Sequence, residues 1–366
     1  MSKELNILPL NNWLDVDKHP LVISGPCSAE SEQQLLSTAK ALAKTPHVKV
    51  FRAGIWKPRT HPKSFEGVGS IGLTWLKQVK QETGLLTTVE VANPKHIEEC
   101  LDNEVDILWI GARTSVNPFS VEEISQALKG VDIPVMVKNP INPDIELWIG
   151  TLERINQAGI NKLIAVHRGF SSFEKTSYRN APLWEIPIEL KRLHPQLPII
   201  CDPSHICGNT NMLLEVSQKA LDLEMNGLMI ESHIEPEVAL TDAKQQVTPV
   251  QLSNLISNLI IRKSSGNKEF ENELEKLRAE IDIIDRKLLH ILTERMNIVE
   301  KIGEYKREHN ITILQIKRWN EILRDRSIIA DKLDLNKDFL LEILRFVHQE
   351  SIQRQVDIMN KEDKSG

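Results

Sequence analysis

Hydrophobic residues in the first 260 positions occur mainly in short runs rich in β-branched side chains. Each run is followed by a longer stretch with apolar residues at helical spacing, which indicates βαβ units and a parallel sheet. Eight such runs predict an α/β fold, a closed (β/α)8 TIM barrel, with a doubly wound open sheet as the alternative. The runs are PLVIS, VKVF, GLLTTVEV, VDILWIG, PVMVK, KLIAVH, PIICD and NGLMIES.

The pattern becomes purely helical in the last hundred or so residues. Apolar residues from Leu277 to Ile302 fall largely at intervals of three and four without a proline, which predicts one helix of about ten turns. Two further helical patterns follow, at about 315–330 and 337–359. Three helices of this kind bury their apolar faces poorly alone, so we expect a homodimer through them, or a higher assembly.

A polar segment separates the two patterns. The sequence RKSSGNK at 262–268 combines charge with Ser-Ser-Gly, as is typical of a linker. We therefore predict a barrel over 1–261, a linker at 262–269 and an all-α three-helix domain over 270–366. The role of residues 1–17 stays open between a cap on the base of the barrel and an interface strand.

Composition and charge narrow the partners. A formal net charge of −6 argues against nucleic acid or an anionic membrane as a partner, so small molecules are expected. The N terminus lacks a basic opening and a continuous apolar run, and no segment reaches the roughly 20 apolar residues of a membrane span. We expect a cytoplasmic protein with reduced cysteines, in which Cys27 is the strongest candidate for metal binding.

Reactive side chains occur at the end of every predicted strand, where functional groups of this barrel architecture lie. A thiolate, an imidazole and two carboxylates could together bind a divalent metal ion such as Mn, Fe, Co or Zn. Several cations at the same face exceed what a neutral substrate needs and suit phosphates and carboxylates. The candidate ligands are Cys27, His205, Glu231 and Asp242, the cations are Arg52, Lys57, Arg59, Arg113, Lys138 and Arg168, and Glu90, His167, Asp202 and His233 also end strands.

Motifs at these positions resemble the 3-deoxy-7-phosphoheptulonate (DAHP) synthases, in the branch without a large N-terminal extension. The resemblance covers about residues 18–260. The motifs are GPCSAE at 25–30, RAGIWKPRT at 52–60, IGAR at 110–113, VKNP at 137–140, HRG at 167–169, DPSHICG at 202–208 and IESH at 230–233.

The resemblance implies a metal-dependent condensation of phosphoenolpyruvate with erythrose 4-phosphate. It implies that the four candidate ligands, Cys27, His205, Glu231 and Asp242, bind the metal ion. It also implies that Lys57, Arg59 and Thr60 meet erythrose 4-phosphate. The residues implied to hold phosphoenolpyruvate are Arg52, Lys57, Arg113, Lys138 and Arg168.

Two alternatives accompany this interpretation. The related synthase that forms 3-deoxy-octulosonate 8-phosphate from arabinose 5-phosphate has an Asn-Arg-Ser type of loop where this chain has KPRT at 57–60, so KPRT favours the four-carbon aldehyde. A Schiff base at Lys57 is the second alternative. The flanking Arg and Pro suit charge pairing better than imine formation.

The helical region carries a second group of polar residues. Arg295 and Lys306 are eleven residues apart, close to three whole turns at about 100° per residue, and share one helix face. Arg278 points roughly a quarter-turn away and would reach this group only across a dimer. Ser351 and Gln355 share one side of the last helix. Cations on a helix are usually just solvated, so spacing alone does not decide their role.

Residues 270–360 resemble the all-helical chorismate mutases, through LRAEIDIIDRKLLHILTERMNIVEKIGEYK, ILQIKRWNEIL and HQESIQRQ. Trp319 and Gln315 depart from the acidic residues common in that family, which leaves the contact to the substrate hydroxyl open, with Glu321 as a substitute. The resemblance implies that Arg278 of a partner chain, Arg295, Arg318 and Ser351 bind the carboxylates of chorismate, while Lys306 and Gln355 face its ether oxygen.

Three hypotheses follow for the whole chain. The first is an enzyme with two activities. The second is a synthase whose helical domain senses chorismate or prephenate and regulates the barrel. The third, a helical domain used only for association, does not require Arg278, Arg295, Lys306 and Gln355 together.

Overall fold

The computed structural model describes residues 4–16, 20–57, 64–173, 176–263 and 265–360. The chain divides into two compact units, Met1–Ser264 and Ser265–Gly366. The division falls within the stretch 262–269 that the sequence predicts as a linker.

The first unit alternates strands with helices along its whole length. Its strands are β1 (Leu21–Gly25), β2 (Val48–Arg52), β3 (Leu86–Val91), β4 (Ile107–Ile110), β5 (Val135–Lys138), β6 (Leu163–His167), β7 (Ile199–Cys201) and β8 (Gly227–Glu231). Its α-helices are α1 (Glu32–Leu42), α2 (Ile71–Thr83), α3 (Pro94–Asp102), α4 (Pro118–Ala127), α5 (Ile145–Gln157), α6 (Glu185–Leu193), α7 (Pro203–Cys207), α8 (Leu213–Asp222) and α9 (Pro249–Ser257).

The eight strands form a closed parallel barrel in the order in which they occur in the chain. Closure comes from β1 and β8, which pair with Leu21 opposite Gly227 and Gly25 opposite Glu231. The predicted (β/α)8 barrel is confirmed, and the alternative of an open sheet is wrong.

Alternation along each strand separates the two sides of the barrel wall. One set of side chains packs against the helices, and the other fills the barrel interior with residues such as Val50, Met136 and Met229. Two residues further along, the same inward positions become polar, as with Arg52 after Val50. The carboxyl ends of the strands therefore form a polar layer above an apolar interior.

The N-terminal segment covers the opposite end of the barrel. Leu10 and Leu14 are buried with the interior residues Leu21 and Ile107, which begin their strands. The backbone N–H of Leu8 donates to the carbonyl oxygen of Asn161, just before β6, at 2.9 Å. Of the two roles considered for this segment, the structure shows the cap on the base.

The second unit consists of α10 (Lys268–Glu308), α11 (Ile316–Lys332) and α12 (Lys337–Met359). The predicted long helix and two shorter helices are confirmed, although α10 begins at Lys268 within the predicted linker. The Asn267 side chain caps α10 by accepting from the N–H of Phe270. The chain considered alone leaves much of α10 exposed, including Ile281, Ile284 and Leu288. None of the described helices is long and apolar enough to cross a membrane.

Candidate active sites

Three candidate metal ligands converge at the carboxyl ends of β1 and β8. One ligand atom from each of Cys27, Glu231 and Asp242 lies within 4.8 Å of the other two. The Cys27 thiol donates to Asp242 Oδ2 at 3.2 Å, and Lys57 Nζ donates to Cys27 Sγ at 3.1 Å. A thiolate with two carboxylates is a donor set that a transition metal ion accepts. The structure thus brings three of the four predicted ligands together as a candidate metal site.

His205 borders this cluster and points one ring nitrogen at it. Its Nδ1 lies 2.8 Å from Asp202 Oδ2, and its Nε2 lies 3.7 Å from Glu231 Oε1. An ionised carboxylate only accepts hydrogen bonds, so Nδ1 carries the proton of the neutral ring and Nε2 keeps its lone pair. A carboxylate that orients a histidine in this way is common behind metal ligands.

The buried polar atoms of the cluster indicate an absent ligand. Glu231 Oε1 is fully buried and forms no hydrogen bond among the described residues, although Arg52 Nη2 lies 3.1 Å from it. Nε and Nη1 of Arg52 are also buried without a hydrogen-bond partner there. Such atoms are rarely left unsatisfied, and a bound cation and a bound anion would satisfy them. The residues therefore fit a metal ion beside an anionic substrate.

The protonation of the cluster follows from burial and neighbouring charge. Burial raises the pKa of the Cys27 thiol to about 12, with a further increase from Glu231. Burial opposes the ionised form of Asp242, yet Arg179 and His205 lower the pKa of Asp242 to about 2. The cysteine is thus a neutral thiol that needs a bound cation to become a thiolate, whereas the aspartate is already a carboxylate.

Buried cations lie beside the candidate metal site. Arg52 Nη2 lies 3.1 Å from Glu231 Oε1, and Lys138 Nζ donates to Asp202 Oδ2 at 2.7 Å. Both cations also lie over the Trp109 ring, at 5.0 and 5.7 Å from its centroid. Burial lowers the pKa of Lys138, and Asp202 partly offsets that decrease. The tryptophan and the two carboxylates keep these cations charged in the barrel interior.

Within the described part of the chain, Arg168 has no carboxylate among its hydrogen-bond partners. Its Nη1 donates to Asn180 Oδ1 at 2.8 Å and to the carbonyl oxygen of Gly169 at 3.3 Å. Burial lowers the pKa of Arg168 to about 10, so it stays charged at neutral pH. Arg113 is on the loop after β4 and is exposed.

The side chain of Lys57 passes over a glycine to reach the cluster. A Cβ added to Gly54 would lie 2.7 Å from the carbonyl oxygen of Cys27 and 2.6 Å from Lys57 Cε, so the glycine lets both approach closely. The predicted contacts of Arg59 and Thr60 with the aldehyde lie outside the described residues.

The helical unit brings four predicted residues to the interface of α10 and α12. Arg295 Nη1 donates to Ser351 Oγ at 2.7 Å, and Lys306 Nζ donates to the carbonyl oxygen of Ile313 at 2.6 Å. Gln355 is buried, and its Oε1 has no hydrogen-bond partner among the described residues. Burial lowers the pKa values of Arg295 and Lys306.

Two predicted arginines lie apart from this group within one chain. Arg278 is exposed and lies 3.9 Å from Glu275, and Arg318 is exposed and pairs with Glu321 at 3.1 Å. Trp319 stacks on His348 with ring centroids 3.9 Å apart. Burial lowers the pKa of His348, and the charge of Arg295 lowers it further. Trp319, which the sequence analysis set apart as a departure from the mutase pattern, is thus part of an aromatic pair.

Residues 14–263 match the model of the DAHP synthetase I family. The chain belongs to the DAHP synthetase I family. A second model, chorismate mutase type II, matches residues 277–356, so this family member carries a mutase-like region after the barrel.

Individual relatives agree with both matches. The DAHP synthetase I chain is 34% identical over 226 residues to the phospho-2-dehydro-3-deoxyheptonate aldolase of Thermotoga maritima, covering 62% of this chain and 64% of that one. A crystal structure of the Thermotoga maritima aldolase superposes with a TM-score of 0.61 at 30% identity, covering 69% of this chain and 72% of that chain. The bifunctional chorismate mutase/prephenate dehydratase of Buchnera aphidicola is 31% identical over 90 residues, 25% of this chain and 23% of that protein. The chain thus spans less than two thirds of the length of either curated relative.

Sequence reasoning missed several residues of the DAHP synthetase I site. Trp109 is an apolar strand residue in sequence terms, and it faces the barrel interior with Ile107, two residues earlier on β4. Arg179 lies twelve residues past the end of β6, too far for a strand-end rule to include it. Gln245 follows Asp242 in the same loop, which is the one local signal for its place beside Glu231.

Proposed function

We propose that the barrel condenses phosphoenolpyruvate with erythrose 4-phosphate to DAHP and phosphate in a metal-dependent reaction. The observation that carries this proposal is the set of buried cations beside the candidate metal cluster, with Arg52 left short of hydrogen-bond acceptors. Several buried cations with unsatisfied guanidinium nitrogens on Arg52 favour an anionic substrate such as phosphoenolpyruvate.

The protein groups bind and orient the two substrates. Arg52, Arg113, Lys138 and Arg168 hold the phosphate and the carboxylate of phosphoenolpyruvate, and so direct its C3 toward the aldehyde carbon. Lys57 Nζ lies 3.1 Å from Cys27 Sγ, and in this proposal it donates to the aldehyde oxygen, on which negative charge develops. A carbon–carbon bond forms between the two substrates, water adds at C2, and phosphate leaves.

The candidate metal site contributes to the same reaction. We infer that Cys27, His205, Glu231 and Asp242 hold a divalent ion such as Mn, Fe, Co or Zn. When bound, such an ion polarises the aldehyde carbonyl. We infer from the sequence that Arg59 and Thr60 also bind erythrose 4-phosphate.

The five-carbon aldehyde arabinose 5-phosphate is the competing substrate. The 34% identity to a heptonate aldolase and the KPRT sequence at 57–60 both support erythrose 4-phosphate. Turnover with arabinose 5-phosphate and none with erythrose 4-phosphate would reverse the assignment.

We also propose that the helical unit rearranges chorismate to prephenate. The supporting observation is that Arg295 and Lys306 are partly or fully buried and donate to a hydroxyl and to a backbone carbonyl. Neither has a carboxylate as a hydrogen-bond partner among the described residues. This rearrangement is pericyclic and needs positioned charge, with no acid, base or nucleophile. Lys306 and Gln355 would stabilise the charge that develops on the ether oxygen, and Arg295 and Ser351 would bind a carboxylate.

A homodimer completes this second site in the proposal. Arg278 lies too far along α10 to join Arg295 within one chain and would come from the partner, while Arg318 comes from the same chain. The exposed apolar residues of α10 support association through this helix. We place the protein in the cytoplasm, with the barrel at 1–261, the linker at 262–269 and the mutase at 270–366.

Two assays on the full chain test both activities. Phosphoenolpyruvate consumption with erythrose 4-phosphate should require Mn and stop with a chelator, whereas loss of chorismate should be unaffected by the chelator. Synthase activity alone, inhibited by prephenate or chorismate, would instead support the regulatory hypothesis for the helical unit. Synthase activity that resists complete metal removal would contradict the metal site.

A further inference from the structure

Two consecutive residues on the loop after β6, Arg179 and Asn180, contact the short helix that carries His205. Both backbone N–H groups donate to the carbonyl oxygen of Ile206, at 2.9 and 3.1 Å. Gly208 ends this helix with φ of +68°, and a Cβ there would lie 2.5 Å from Arg179 Cβ. The absence of a side chain at Gly208 thus lets the dipeptide approach α7 closely.

The side chain of Arg179 reaches two of the candidate metal ligands. Its Nη1 donates to Asp242 Oδ1 at 2.9 Å and to Gln245 Oε1 at 2.7 Å. Gln245 Nε2 in turn donates to Glu231 Oε2 at 2.7 Å. Arg179 therefore acts on Asp242 directly and on Glu231 through one amide.

These contacts use one oxygen of each carboxylate and leave the other for the cluster. Asp242 Oδ2 faces Cys27 Sγ at 3.2 Å. Glu231 Oε1 forms no hydrogen bond in the described chain and lies 3.1 Å from Arg52 Nη2 and 3.7 Å from His205 Nε2. Asp242 has φ of +49°, a backbone conformation that non-glycine residues rarely adopt without support. The guanidinium supplies such support from outside the cluster.

Asn180 makes the matching contacts on the other side. Its Nδ2 donates to the carbonyl oxygen of His205 at 2.6 Å, and its Oδ1 accepts from Arg168 Nη1 at 2.8 Å. One side chain thus joins the helix of a candidate metal ligand to a cation of the phosphoenolpyruvate site.

We propose that Arg179 and Asn180 are positioning residues that orient the metal ligands and Arg168 toward one another. This inference rests on the proposed metal-dependent condensation. Arg179 sets which oxygen of Asp242 and Glu231 faces the ion, and Asn180 sets the distance between the ion and the substrate anion.

Charge repulsion between Arg179 and a bound cation would weaken metal binding, whereas the orientation of the ligands by Arg179 would strengthen it. The Arg179 side chain is 48% exposed, so solvent screens that repulsion, whereas the hydrogen bonds that orient the carboxylates are local. Removal of a group that orients metal ligands typically costs about 10- to 100-fold in metal affinity. The loss of orientation should therefore outweigh the relief of repulsion.

The test is a titration of the full chain with Mn²⁺ in the absence of substrates. The electron paramagnetic resonance signal of free Mn²⁺ measures how much of the ion is bound. Arg179→Ala should weaken Mn²⁺ binding about tenfold or more, by the usual effect of such residues. Gln245→Ala should weaken it less, because it removes only the link to Glu231. Unchanged or tighter Mn²⁺ binding in the folded Arg179→Ala protein would overturn the proposal. If Arg179→Ala does not fold, unchanged binding in Gln245→Ala would overturn it instead.

Asn180→Ala tests the second part of the proposal, the positioning of Arg168 by Asn180. We expect a raised KM for phosphoenolpyruvate with little change in KM for the aldehyde, since Arg168 loses its amide partner. An unaltered KM for phosphoenolpyruvate would contradict the role of Asn180. For Arg179→Ala, the matched control is Arg192→Ala, because Arg192 is an exposed arginine on α6 that pairs with Glu189.

The outcomes distinguish this inference from the proposed function. A wild-type chain that binds no Mn²⁺, or whose binding survives Cys27→Ala, would contradict the metal site itself. Normal wild-type binding that depends on Cys27 but is indifferent to Arg179 would contradict only the positioning role.

Discussion

Neighbouring residues at the end of a strand can have unrelated roles, as His167 and Arg168 show. Arg168 continues the inward positions Ile164 and Val166, and its Nη1 donates to Asn180 Oδ1 at the candidate site. His167 has the opposite orientation and packs near Trp184, with ring centroids 5.2 Å apart. It is fully buried. Because it faces away from the candidate site, we expect His167 to affect the stability of the fold.

Stability should depend on pH through His167. Burial lowers the pKa of His167 to about 3, and the charge of Arg168 adds to the decrease. Between that value and about 6.5, the unfolded chain binds a proton that the folded chain does not, so stability is lost as pH falls through this window, by at most about 1.4 kcal/mol per pH unit. Thermal unfolding from pH 7 to 4 should show a shallower loss in His167→Gln.

An exposed histidine provides the control for that measurement. His290 lies exposed on α10, so His290→Gln should keep the wild-type pH dependence. An equally steep loss of stability in His167→Gln would show that another group controls the acid transition.

At the scale of elements, the barrel depends on close approach between strands. Gly25 ends β1 with φ of +150°, and a Cβ there would lie 2.0 Å from the carbonyl oxygen of Arg52. A shift of the β2 backbone would displace Arg52, the last residue of that strand, from the candidate site. The glycine at this position is thus a condition for placing this cation.

Two glycine substitutions should have opposite effects on stability. Gly25→Ala should destabilise the barrel by several kcal/mol, since neither backbone can move away. Gly150→Ala, within α5, meets only Arg154 Nη1 at 3.6 Å and should stabilise by about 0.5–1 kcal/mol through helix propensity. Urea unfolding of both variants measures the difference, and a well-tolerated Gly25→Ala would contradict the steric argument.

At the scale of the whole molecule, two polar sites of different chemistry lie in two compact units. The barrel site combines candidate metal ligands with cations, and the helical site combines cations with an amide and a hydroxyl. Neither set of side chains includes a residue of the other unit. We therefore expect the two activities to be lost independently.

Single substitutions should separate the two activities. Cys27→Ala should abolish the synthase and leave the mutase, and Lys306→Ala should do the reverse, because each removes a group from only one site. Steady-state assays of both reactions on each variant provide the measurement. Cys100→Ala, in a buried cysteine of α3, and Lys301→Ala, in an exposed lysine of α10, are the matched controls. Loss of both activities in either site variant would argue for coupled sites.

The sequence by itself determined the barrel, the three helices and most of the candidate residues, because hydrophobic periodicity and strand ends are local properties. Only the tertiary structure decided which candidates meet. Closure of β1 against β8 brings Cys27 beside Glu231 and Asp242, more than 200 positions away. The tertiary structure also places Arg179 and Trp109 at the candidate site and His167 outside it. Such contacts depend on strand register and loop path, which no short stretch of sequence encodes.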